Sequence, residues 1–353
     1  MNKGFSQNKK NHRGNIRMKI LVLLAGFTLG TAAYAQDLDV GIQAYKDGDY
    51  EAALSAFFPL AEQGNTRAQF NLGVMHYSGR GVPRDYEKAF NWYRKAAEQG
   101  YARAQFNLGT MHYSGRGMPK DYAKAADWYR KAAEQGYARA QNHLGDMYYS
   151  GEGVPKDYAK AFDWYWKAAE QGDARAQNNL GNMYYDGRGV SKDDGKAVDW
   201  YRKAAEQGNA LAQYHLGVMY FIGRGVPQDY AKAFDWYRKA AEQGYARAQF
   251  NLGDMYYDGR GVLKNYKEGA KWYWKAAEQG YVDAQANLGD MYYNGRGVPQ
   301  DYVLAYAWFS IASAAGGNYT KILNEIEMLI PPFQVDEAQL LAARLQPGTA
   351  LDE

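Results

Sequence analysis

A Gln-Gly pair stands at Gln63-Gly64, Gln99-Gly100, Gln135-Gly136, Gln171-Gly172, Gln207-Gly208, Gln243-Gly244 and Gln279-Gly280, each 36 residues after the last. A Leu-Gly pair keeps the same step from Leu72-Gly73 to Leu288-Gly289. Self-similarity at a fixed period of this length marks a solenoid, in which one supersecondary unit buries its apolar face only by stacking on its neighbours.

Each repeat reads as two helices, so the fold class is all-α. In the stretch Ala102–Gly136 the first helix runs from about Ala102 to Tyr113, with Ala104, Leu108 and Met111 at i, i+4 and i+7 on one stripe. Gly109 interrupts that stripe at a cost of about 1 kcal/mol relative to Ala, and its return in every repeat predicts close approach of a neighbouring helix. Ser114-Gly115-Arg116-Gly117 ends the helix, its glycines offering positive φ. The second helix is expected after Asp121 as N-cap, with Tyr122, Ala125, Trp128, Tyr129, Ala132 and Ala133 on a broad apolar face. Lys124 occupies the position of a capping-box Glu, and Asp127 with Lys131 forms an expected i, i+4 ion pair.

These residues carry a family resemblance. Ala-x-x-x-Leu-Gly, then Gly-x-Gly-Val-Pro-x-Asp-Tyr, then Trp-Tyr-x-Lys-Ala-Ala-x-x-Gly at a period of 36 resembles the Sel-one-like repeat (SLR) family, a branch of the tetratricopeptide-repeat superfamily. The resemblance covers roughly Val40 to Gly316 and implies a right-handed superhelical solenoid of antiparallel helix pairs. It further implies a non-enzymatic scaffold that binds protein or peptide partners through a concave groove lined by first helices. It names no partner.

The chain divides accordingly. Residues 1–35 read as a signal peptide, with a basic start, an apolar core over Ile20–Gly30 and a small-x-small site at Ala33-Tyr34-Ala35, with cleavage after Ala35. A retained N-terminal anchor is the other reading, and translation from Met18 is an alternative start. No cysteine follows to carry a lipid. Residues 36–64 form an opening helix pair, with Val40, Ala44 and Tyr45 on its first helix. Residues 65–316 form seven repeats. Residues 317–353 form a helical cap and tail, with helical spacing over Ile322–Ile330, a stop at Pro331-Pro332 and a short amphipathic helix over Asp336–Leu345. The expected location is the periplasm, or outside the cell.

Charge supports no nucleic-acid partner. The full chain is +3, from 42 basic and 39 acidic residues. Residues 1–35 hold six of the bases and no acid, which leaves 36 against 39, or −3. The basic balance belongs to the leader and makes no patch on the repeats. After cleavage no stable membrane insertion is expected, and the expected state is a monomer.

No catalytic grouping emerges, and no metal or cofactor is expected. The Gly-x-Gly loops follow a helix rather than a strand and recur in every repeat, as a turn does. His76 and His112 alternate with tyrosines at Tyr148, Tyr184, Tyr220, Tyr256 and Tyr292, which reads as aromatic packing. Repeat-to-repeat variation marks a candidate surface instead. Residues 66, 70, 74 and 78 lie opposite the invariant stripe, and the middle two vary most. Phe70, Phe106, Tyr214 and Phe250 are candidate apolar anchors, with Val74 and Val218 beside them. Asp146, Asp254 and Asp290 would favour basic groups on a partner. The bland reading is that these positions vary because nothing constrains them. The alternative function is a cell-envelope protein that binds or acts on peptidoglycan, which concave aromatics beside paired carboxylates would favour.

Overall fold

The computed structural model describes residues 37–345, so the leader, its cleavage site and the last residues of the tail lie outside the described part. Among the described residues every regular element is a helix. Helix α1 spans 37–47, and α2 follows at Tyr50–Glu62. The seven repeats then supply α3 (Thr66–Ser78) and α4 (Tyr86–Glu98), α5 (Ala102–Ser114) and α6 (Tyr122–Glu134), α7 (Ala138–Ser150) and α8 (Tyr158–Glu170), α9 (Ala174–Asp186) and α10 (Asp194–Glu206), α11 (Ala210–Ile222) and α12 (Tyr230–Glu242), α13 (Ala246–Asp258) and α14 (Tyr266–Ala277), and α15 (Val282–Asn294) and α16 (Tyr302–Ala314). Helices α17 (Thr320–Glu327) and α18 (Pro332–Leu345) close the described chain. One compact unit ends at Asp157 and a second begins at Tyr158. Within each unit, successive helices pack side by side as an α-solenoid.

Glycine sets the spacing inside a repeat. A Cβ placed on Gly109 would lie 2.7 Å from the Tyr129 ring of the paired helix, and on Gly217 it would lie 2.6 Å from the Tyr237 ring. Hydrogen on the first helix therefore faces a buried tyrosine on the second. The opening pair uses the same lock between Gly41 and Phe57. That shifts its apolar face from the expected one: Leu38 is buried and Val40 is 57% exposed.

The turns and caps follow from local chemistry. Gly115 closes α5 at φ 71°, its N–H donating to the Met111 carbonyl. Gly117 has φ 80°, and a Cβ there would lie 2.7 Å from the Tyr86 carbonyl oxygen in the preceding repeat. Asp121 caps α6 by accepting from the Lys124 N–H at 2.9 Å. The Lys124 ammonium returns to the same carboxylate at 3.2 Å, so the residue standing where a capping-box Glu would be makes its own ion pair with the cap.

Two further expectations are corrected. Asp127 pairs with Arg130 at 2.7 Å rather than with Lys131. Lys131 instead lies 4.0 Å from the centre of the Trp128 ring, a cation–π contact worth about 0.5–1 kcal/mol at an exposed site. The same contact recurs from Lys95 on Trp92 to Lys275 on Trp272. At the other end, Pro332 begins α18, four residues before the expected start. Proline suits a first helical turn because its missing N–H would be unpaired there anyway.

A polar ladder runs inside each unit. The Gln105 side chain, buried, donates to the Ala97 carbonyl of the preceding repeat at 3.1 Å. Gln135, from the Gln-Gly pair, donates to the Gln105 side-chain oxygen at 2.6 Å. The pattern repeats at Gln213 with Ala205 and Gln243, and at Gln249 with Ala241 and Gln279. It satisfies both ends of a buried amide, which would otherwise cost about 1–3 kcal/mol.

Candidate functional site: the outer face of the first helices

The aromatic candidates are seams between repeats. Phe70 packs against Tyr93 of its own repeat at 5.7 Å and Tyr101 of the next at 5.2 Å. Phe106 does the same with Tyr129, Tyr137 and His143 at 5.3–5.5 Å. Tyr214 meets Tyr237 and Tyr245, and Phe250 meets Tyr273 and Tyr281. All four are half-buried. Val74 and Val218 join the same clusters beside Tyr93 and Tyr237. Asn142 and Asn178, at the equivalent position, are buried, and Asn178 Oδ1 lies 3.0 Å from His215 Nδ1. Burial lowers the His215 pKa to about 4, with Arg247 adding to the effect, so that ring is neutral at neutral pH.

The acidic candidates differ from one another. Asp254 accepts from the buried Tyr273 hydroxyl at 2.6 Å, and burial raises its pKa to about 6. Asn182 takes the same bond from Tyr201 at 2.8 Å, and Thr110 from Tyr129 at 3.2 Å. This position therefore serves the paired helix as an acceptor. Asp146 accepts from Asn142 at 3.2 Å and lies 4.0 Å from His143. Asp290 accepts from Asn294 at 2.8 Å and lies 3.9 Å from Arg296, with half of its side chain exposed. The candidates thus form two sets, one built into the stack and one, Asp146 and Asp290, nearer solvent.

What the first helices present most openly is the residue three before each aromatic. Arg67, Arg103 and Arg139 are exposed in the first unit, and Arg175, Leu211, Arg247 and Asp283 in the second. Variation between repeats does not mark this row, because arginine recurs there in five of the seven repeats. The available signal was a charged residue in six of the seven repeats, at a helical position off the stripe of Leu72 and Met75.

His112 is buried edge-on against Phe90 at 5.6 Å. Its pKa and that of His76 are lowered mainly by burial. Among the described residues no three His, Cys, Asp or Glu side chains gather as metal ligands, and no helix is long and apolar enough to cross a membrane.

The Sel1 repeat family matches residues 66–101, 102–137, 138–173, 174–209, 210–245, 246–281 and 282–317 without a gap. The chain is a Sel1-repeat protein. Its matched frame covers the Gly–aromatic locks at Gly73, Gly109, Gly181, Gly217, Gly253 and Gly289. It is similar to the crystal structure of c5321, a protective antigen of uropathogenic Escherichia coli with an SLR fold, at 33% identity and a TM-score of 0.55, over 91% of this chain and 94% of that one. It is also similar to a Sel1 repeat protein from Oxalobacter formigenes, at 39% identity and a TM-score of 0.64, over 68% of this chain and 96% of that one. No curated protein matches it. Sel1-repeat proteins are protein-interaction scaffolds, and their fold points to a non-catalytic role for this one.

Proposed function

We propose that this Sel1-repeat protein is an exported, periplasmic or secreted, monomeric scaffold that captures a protein or peptide along the exposed face of its first helices. The observation that carries the reading is the arginine row of the first unit, one exposed guanidinium on each of α3, α5 and α7 at Arg67, Arg103 and Arg139. A fixed-pitch row of forked donors suits an extended segment bearing carboxylates. The half-buried aromatic seams give that face its shape, and Asp146 and Asp290 add local charge contrast. Export rests on the leader-like residues 1–35 and their small-x-small site.

The test is retention of envelope proteins and peptides on the immobilised protein. Arg103→Glu with Arg139→Glu should reduce retention at least tenfold while helical content stays unchanged. Retention of peptidoglycan fragments with no protein enriched, and indifferent to the arginine reversals, would replace the proposal with glycan binding. Phe106→Ala is a stability control: losing a half-buried ring packed on three others should cost about 2–3 kcal/mol.

A further inference from the structure

A cleft of about 600 Å³ lies between the sixth and seventh repeats, lined among others by Ala270 and Trp274 of the sixth and by Leu288 and Tyr292 of the seventh. Its origin is visible by comparison with other repeats. At the position of Ala270 the first, third and fifth repeats carry Phe90, Phe162 and Phe234. Each of these rings sits edge-on against the aromatic residue twenty-two positions later: His112 at 5.6 Å, Tyr184 at 5.5 Å and Tyr256 at 5.3 Å. After the sixth repeat the receiving ring, Tyr292 of the seventh, is retained, but the inserted ring is missing.

The second and fourth repeats also carry small residues there, Ala126 and Val198. In them an arginine side chain lies beside the receiving tyrosine, Arg130 beside Tyr148 and Arg202 beside Tyr220. The sixth repeat lacks that substitute. Its residue at the arginine position is Trp274, which packs on Trp308 at 5.1 Å and donates its indole N–H to Glu278 at 2.8 Å.

The rim has changed sign as well. At the position of Lys271 four other repeats carry Asp127, Asp163, Asp199 and Asp235, and at that of Lys267 the others carry Glu, Ala, Gly or Val. Lys267, Lys271 and Lys275 all line the cleft, one helical turn apart. The two carboxylates of the lining are held within the fold: Glu268 by Lys271 at 2.6 Å and Glu278 by the Trp274 indole.

We propose that this cleft is a binding site for a peptide segment that presents an aromatic side chain next to carboxylates. The ring enters the place vacated by phenylalanine, edge-on to Tyr292, and the carboxylates meet Lys267 and Lys271. The site is separate from the first-helix face and does not rest on it.

The experiment titrates the full chain into N-acetyl-(4-fluoro-Phe)-Glu-Glu-amide, followed by fluorine NMR, with the Lys-Lys analogue as the charge-reversed probe. Saturable broadening is expected for the acidic probe only. Ala270→Phe restores the residue used at Phe90 and Phe234, so it should keep the fold and weaken binding at least tenfold. Lys267→Glu with Lys271→Glu should weaken it about tenfold. No saturable binding, equal binding of the Lys-Lys probe, or unchanged binding in Ala270→Phe would each overturn the proposal. Binding that appears only after Asp352→Lys with Glu353→Lys would assign the cleft to the chain's own end, and self-association abolished by Ala270→Phe would assign it to a second copy. Either result also overturns it.

Discussion

In the second repeat, Lys131 covers the Trp128 ring at 4.0 Å and Gln135 donates to the buried Gln105. In the seventh, those partners are Ile311 and Ala315, and the tryptophan, Trp308, is fully buried. Helix α18 lies against α16 there, with Leu341, Ala342 and Leu345 in the cluster around Trp308. The Trp308 indole N–H and the Gln285 side-chain oxygen have no hydrogen-bond partner among the described residues. The second repeat thus leaves its tryptophan half in water under an ammonium and keeps its buried amide paired. The seventh trades both arrangements for apolar contact with a helix that is not a repeat. The difference teaches that the repeat is complete only when another repeat follows it.

The largest break in that contrast should come from Trp308→Ala, at about 4 kcal/mol, against about 1–2 kcal/mol for the half-exposed Trp128→Ala, read from denaturant midpoints. Equal costs would mean that α18 does not hold the end of the stack. The glycine lock should show a smaller asymmetry. A Cβ on Gly217 would lie 2.6 Å from the Tyr237 ring, but on Gly289 it would lie 2.9 Å from Phe309. Gly217→Ala should therefore cost about 2–3 kcal/mol and Gly289→Ala about 1 kcal/mol.

A pH dependence separates the sixth repeat from the seventh. Folded Asp254 keeps its proton to about pH 6, because of burial, whereas an unfolded aspartate loses it near pH 4. The native state binds more protons between those values, so this group makes stability fall as pH rises through about 4 to 6, and the loss persists above. Asp254→Asn keeps an acceptor for Tyr273, as Asn182 does for Tyr201, and removes the charge. It should raise the midpoint at pH 7 by about 1–2 kcal/mol and leave it unchanged at pH 4. Asp290→Asn is the control, since its repeat carries Phe309 in place of the tyrosine. His215 acts in the opposite sense: its ring, neutral in the fold, makes stability fall as pH drops from about 6.5 toward 4. The smallest effect expected is Ala315→Gln, which supplies the partner that Gln285 lacks and should add about 1 kcal/mol.

Sequence made the frame legible because the frame is what repeats. Leu108, Gly109, Gly115, Asp121 and Tyr129 each have one structural task, and six or seven copies make each task plain. The choices between near-equal neighbours were not legible. Asp127 could reach Arg130 or Lys131, and the face of Trp128 decides by attracting the lysine. Val40 and Leu38 are both apolar, and the lock between Gly41 and Phe57 decides which is buried. The candidate surface was read least well, since variation alone does not separate a solvated residue from one adjusting to its neighbour. Phe70, Phe106, Tyr214 and Phe250 pack on rings of the neighbouring repeat, and Asn142 and Asn178 in the same place are buried, so the position belongs to the stack. Arg103 recurs although it is exposed.

The glutamine ladder has a consequence for how such a chain changes length. A 36-residue segment brings with it the amide that reaches back, the carbonyl that the next segment will need and the second glutamine that completes the pair. Copying or deleting a whole segment inside the array would leave each remaining junction chemically the same. A cut of any other length would not. Growth by whole units is therefore the mutational route of least damage, and the near-identity of the copies, with no residue gained or lost between Gln63 and Gln279, is what a lineage extended in that way would leave behind.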